Sequence, residues 1–112
     1  MHTFKGTQTL LRIFIGENDK HNHRPLYMVL LELFRKNKMA GTTILRGIAG
    51  FGAKSHLHTT EILRLSSDLP IVIEVVDTQE KIDIIIPLID EIIQEGLITM
   101  EKVEVLRYAP KN

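Results

Sequence analysis

The chain contains no cysteine. Disulfide frameworks, thiolate zinc sites and cysteine nucleophiles are therefore excluded. It carries no excess of either charge: fourteen basic residues balance fourteen acidic ones. A protein that binds nucleic acid through phosphate contacts needs a basic surplus, so general nucleic-acid binding is not expected. No stretch approaches the roughly 18 apolar residues of a membrane span, so no membrane insertion is expected. Met1 to Thr9 lacks the apolar centre of a signal peptide, and the expected location is cytoplasmic. Low-complexity and linker segments are also absent. What remains is an ordinary globular composition, 44% apolar and 25% charged over 112 residues. That length suits one domain, residues 1–112, with a core sufficient without covalent staples.

Thr9 to Gly16 reads as a strand, with Leu11, Ile13 and Ile15 alternating against Leu10, Arg12 and Phe14. Glu17 to His23 is polar and turn-like. Pro25 suits the first position of a helix, and Leu26, Val29, Leu30, Leu33 and Phe34 follow at helical spacing. Arg35, Lys36 and Lys38 complement the negative end of that helix, and Gly41 is expected to close it. Thr42 to Arg46 reads as a second strand and Ile71 to Val76 as a third. Asp77 with Glu80 three residues later has the spacing of a capping box. Ile82, Ile85, Ile86, Ile89 and Ile92 form the stripe of a second helix, in which Pro87 predicts a kink or an early break, and Gly96 ends it. Val103 to Tyr108 reads as the last strand. The order βαββαβ predicts an α+β, ferredoxin-like sandwich: a four-stranded antiparallel sheet with two helices on one face.

The sheet face away from the helices should be polar if it meets water. It would instead carry Leu10, Arg12 and Phe14 on the first strand and Val72, Glu74 and Val76 on the third. Arg12 and Glu74 are placed to pair across neighbouring strands. Such a face is either half-covered with scattered apolar groups or a buried subunit interface.

The connection from Gly47 to Leu69 exceeds the roughly 15 residues beyond which a loop is usually functional or disordered. It begins Arg46-Gly47-Ile48-Ala49-Gly50-Phe51-Gly52, and its glycines allow close backbone approach to a ligand. Arg46, Lys54 and Arg64 add positive charge, which together suits an anion such as phosphate. The spacing matches neither the P-loop nor the dinucleotide fingerprint, and a turn with solvated charges is the alternative. Asp19, Lys20 and His21 precede the first helix, whose free N–H groups favour anions, although a polar turn explains them equally well. His21 with His23, and His56 with His58, share an i, i+2 spacing that in extended chain puts both rings on one side. Metal binding would need a further ligand, for which Glu61 and Asp68 are candidates. Ser55, His56 and Asp68 supply the residue types of a hydrolytic triad without its context, so no enzyme is expected.

Several strings together carry a resemblance. Gly16-Glu17, Asp19-Lys20-His21 and Arg24-Pro25-Leu26-Tyr27 form an N-terminal signature. Arg46 to Gly52 with His56-Leu57-His58 forms a central one, and Ser66-Ser67-Asp68-Leu69-Pro70 and Val103-Glu104-Val105 complete it. The sequence resembles the bacterial and archaeal family called domain of unknown function 190, whose members are similar in fold to PII signalling proteins. The resemblance covers roughly Thr9 to Tyr108. It implies a PII-like homotrimer that acts as a regulatory, signal-transducing module rather than an enzyme. A small anionic ligand, an adenine nucleotide among the candidates, would lie between subunits. Arg46, Gly47, Gly50, Phe51, Gly52, Lys54, Arg64 and, on the last strand, Arg107 would contribute to that site. The 47–64 loop would contact a partner such as a membrane transporter. The chain departs from PII proteins in lacking their signature motifs and the tyrosine-bearing modification site of their loop. The alternative is a trimer resembling copper-tolerance proteins, with His21, His23, His56 and His58 on a divalent metal.

Overall fold

A computed structural model describes residues 4–50 and 68–110. The elements in chain order are β1 (Phe4–Gly16), β2 (Lys20–His21), β3 (Arg24–Pro25), α1 (Leu26–Lys36), β4 (Thr42–Arg46), β5 (Pro70–Asp77), α2 (Gln79–Ile92) and β6 (Leu97–Tyr108). The main sheet has four strands in the order β4-β5-β1-β6, and every neighbouring pair is antiparallel. With α1 and α2 on one face, this is the ferredoxin-like α+β arrangement expected from βαββαβ. β2 and β3 form a separate two-stranded hairpin.

The core follows from two periodicities. Leu11, Ile13 and Ile15 on β1, and Ile71, Ile73 and Val75 on β5, point to the helix side because alternate strand residues share a face. Leu26, Leu30 and Phe34 on α1, and Ile82, Ile85 and Ile89 on α2, meet them with one buried stripe per helix. Among the described residues, no helix is long and apolar enough to cross a membrane.

Several boundaries differ from the sequence reading. β1 and β6 are longer than expected at one end each: β1 begins at Phe4 and β6 at Leu97. α1 begins after Pro25 and ends at Lys36, capped by Asn37, well before Gly41. Lys38 takes the left-handed conformation there, with φ 57°, so no glycine is needed. Thr78, not Asp77, caps α2: its side chain accepts from the Lys81 N–H at 3.2 Å. Asp77 is 1% exposed and is used differently, accepting from the Ala40 and Thr78 N–H groups, each at 2.7 Å. α2 runs through Pro87 to Ile92. Pro87 and Asp83, whose carbonyl loses its helical donor, both lie on the exposed side, where water can replace the missing bond.

Candidate functional site

Strand direction determines which connections meet. β1 and β4 both end, and β5 begins, at the same edge of the sheet. The segments 16–19, 46–50 and 68–70 therefore share one rim, although nothing in the sequence joined the first to the second. Backbone and side-chain bonds tie them together. Glu17 N–H donates to Leu69 O at 2.8 Å and Gly47 N–H to Pro70 O at 2.7 Å. Asn18 N–H donates to Asp68 Oδ1 at 2.9 Å, and Gly16 N–H to Asp19 Oδ2 at 2.9 Å. Arg46 Nε lies 3.1 Å from Glu17 Oε2, with just over half of the Arg46 side chain still exposed. The positive charge at the start of the 47–69 connection is thus held over the end of β1.

Two of the glycines have a definite structural reason. A Cβ on Gly47 would lie 2.6 Å from Pro70 Cγ, too close for any side chain without movement of the ring. Gly50 has φ +155° and a Cβ there would lie 3.1 Å from the same atom. Both glycines let this connection lie flat on Pro70, so the close approach that the sequence predicts for a ligand is made here to a proline.

Of the other expected site residues, those that are described are dispersed. Phe51, Gly52, Lys54, Arg64, His56 and His58 lie outside the described residues, as do Ser55 and Glu61. Arg107 stands next to Tyr108, which pairs with Phe4, whereas Arg46 stands beside the Gly16 end of β1. The two arginines occupy opposite ends of the sheet, separated by about 40 Å along β1. His21 ends β2 and His23 sits in the following turn, where Asn22 and His23 have φ 50° and 69°. The extended geometry assumed for this pair is thus replaced by a tight hairpin turn. His21 Nε2 contacts Asn22 Nδ2 at 3.4 Å. Among the described residues no group of three or more His, Asp or Glu side chains is placed to hold a metal ion. Asp68, a candidate metal ligand in the sequence, instead accepts from Asn18 N–H.

The hairpin is braced to α1 by a bidentate pair, Arg24 to Glu32, at 2.8 and 2.6 Å. These hydrogen bonds raise the Arg24 guanidinium above its ordinary value and hold the Glu32 carboxyl below its own. On the open face of the sheet, Arg12 donates to Glu74 at 2.9 Å, as its register predicts, and also to Glu101 at 2.6 Å. The Glu74 bond is the main cause that raises the Arg12 guanidinium.

Residues 8–105 match the domain of unknown function 190, described as "Uncharacterized ACR". The chain belongs to that family. It is 38% identical over 99 residues to a UPF0166 protein of Aquifex aeolicus, covering 87% of this chain and 91% of the relative. It is 33% identical over 90 residues to the UPF0166 protein of Methanocaldococcus jannaschii, covering 80% and 82% respectively. Among solved structures it is similar to CPII, a nitrogen regulatory PII-like protein from Thiomonas intermedia K12, bound to ADP, AMP and bicarbonate. That likeness has a TM-score of 0.58 at 17% identity and covers 93% of this chain and 91% of CPII. A second CPII structure, bound to ADP and bicarbonate, gives a TM-score of 0.56 at 15% identity with the same coverage. At such identities the likeness shows the fold, which is PII-like.

Proposed function

We propose that this protein is a PII-like regulatory module, without enzymatic activity, that binds an adenine nucleotide between the subunits of a homotrimer. The observation that carries the reading is the likeness of the fold, over 93% of the chain, to a protein bound to ADP and AMP. Arg46 and Arg107 lie too far apart for one copy to bring both to a single phosphate group. In this reading the Arg46 rim of one copy and the Arg107 end of another would therefore meet across a subunit boundary. Phosphate held by guanidinium groups from two copies would link ligand binding to assembly.

The open face of the sheet supplies a surface for that assembly. The register aligns Leu45, Val72, Phe14 and Leu97 in one row across all four strands. Leu45 is 49% and Leu97 57% exposed, an apolar row that water does not favour. The Glu74–Arg12–Glu101 group lies one step along the sheet and would fix the register of a partner face.

In this reading, ligand contact at Arg46 and Gly47 biases the connection that follows, which presents its 47–64 segment to a regulated protein such as a membrane transporter. No observation favours the metal-binding alternative. His21 and His23 form no cluster with other ligating side chains among the described residues, and His56 and His58 lie outside them.

Thermal-shift measurements with ATP, ADP and AMP test the reading, together with native mass spectrometry. A ligand that binds only the folded assembly raises the melting temperature. The expected result is a rise with at least one adenine nucleotide and a trimeric mass. A monomer, or no shift at saturating nucleotide, contradicts it.

A further inference from the structure

β4 is an edge strand of the sheet. Which of its backbone groups face outward follows from one bond and the register. Gly47 N–H donates to Pro70 O, and β4 pairs Leu45 with Val72 and Thr43 with Glu74. In an antiparallel ladder these alternate residues turn their N–H and C=O groups to the neighbour. Thr42, Ile44 and Arg46 therefore turn theirs away from β5, toward the open edge.

Beside this edge runs the last turn of α1. A cleft of about 230 Å³ lies between them, lined by Leu31, Phe34, Arg35, Met39 and Thr42. Its floor is apolar and its size suits one large side chain rather than a whole small-molecule ligand. Arg35 forms one wall, and Lys36 and Lys38 follow it in the chain. None of the three makes an ion pair among the described residues. Lys81 adds a further positive charge at the same turn, donating to the Asn37 and Lys38 carbonyls at 3.0 Å each. Among the described residues, an unpaired strand edge, an apolar socket and a basic wall thus stand side by side.

We propose that this edge and cleft receive an extended segment of a partner protein, in which a large apolar side chain is flanked by acidic residues. The segment would add as a fifth strand against Thr42, Ile44 and Arg46. Its apolar side chain would enter the cleft, and its carboxylates would meet Arg35 and Lys38. Main-chain bonds would supply affinity, and the socket and charge would supply selectivity. The surface shares β4 with the nucleotide reading, whose Arg46 ends that strand, but its cleft lies at the opposite, Thr42 end and makes no use of the Arg46 side chain.

The probe is a fluorescein-labelled heptapeptide, Val-Glu-Val-Leu-Val-Glu-Val, whose leucine and glutamates share one face of a strand, titrated into the full chain by fluorescence polarisation. A twin peptide N-methylated at alternate amides keeps the side chains and removes strand pairing. The expected result is saturable binding that weakens with salt, falls about tenfold with Arg35→Glu, and is lost for the N-methylated twin. Arg35 is exposed, so circular dichroism of that variant should match the parent. Amide shifts on peptide addition should concentrate in the second half of α1 and in β4. Equal binding of both peptides, shifts centred on the open sheet face, or no binding would overturn the proposal. So would a change in assembly mass with Arg35→Glu, which would assign the edge to a second copy.

Discussion

The two ends of the sheet are built by different means. At the Gly16 end, three connections are laid on one another by backbone bonds and by glycines that fit against Pro70. At the Asp77 end, side chains from distant elements fasten the turn between α1 and β4. Asp77 accepts from Ala40 N–H, Lys81 donates to the Asn37 and Lys38 carbonyls, and the Tyr108 hydroxyl donates to Ala40 O. Thr9 adds a bond to Gln79 Oε1 at 2.6 Å in the same region. The first end is a close fit of backbone, where small changes of shape matter. The second is a network of polar groups, where loss of a partner matters. Each end also carries one of the two arginines that the proposed reading gives to the ligand, which is why that reading calls for two copies.

The largest effect is expected at Asp77. Asp77→Ala removes a buried acceptor and leaves the Ala40 and Thr78 N–H groups without it, and should cost about 2–3 kcal/mol in urea unfolding. Gly47→Ala tests the other end, where the Pro70 ring must move, at about 1–3 kcal/mol. Combining it with Pro70→Ala should recover much of that loss. Simple additivity in the double variant would show that the close approach is not the reason for the glycine. Tyr108→Phe keeps the ring and removes the bond to Ala40 O, with an expected cost of about 1 kcal/mol and no change in fold. The smallest effect concerns the Arg24–Glu32 pair beside the hairpin. Because the Glu32 carboxyl is held below its ordinary value of 4.5, its contribution is present above that pH and is lost as the pH falls through the lowered value. Unfolding titrations of the parent and Glu32→Gln should therefore converge in acid and differ slightly near neutrality. A difference that persists in acid would contradict this origin.

Much of the fold was legible because burial imposes a period. Leu11, Ile13 and Ile15 alternate, and Ile82, Ile85 and Ile89 recur at helical spacing, as the core requires. Even the Arg12–Glu74 pair was readable, since both residues lie on the open face at matching positions. What escaped lacked a period. Among the described residues, Phe4 to Gln8 pairs only with β6, so no single buried face patterns it. The β2–β3 hairpin has two residues per strand, too few for alternation. Asp77 was read as a cap because aspartate suits one, and its burial beneath Ala40 N–H depends on a contact 37 residues away. At the candidate site the glycines were conspicuous, but their proximity to Pro70 and the Arg46–Glu17 pair arise from strand order, which local sequence does not encode.

In the proposed reading, ligand binding needs Arg46 from one copy and Arg107 from another. The most direct test of this is subunit mixing. Arg46→Ala and Arg107→Ala are each titrated with ADP by calorimetry, then co-refolded together and titrated again. Each variant alone should bind weakly, and the mixture should regain a fraction of tight sites, because some boundaries then join an intact Arg46 to an intact Arg107. A mixture that binds no better than its two components would contradict a site shared between copies.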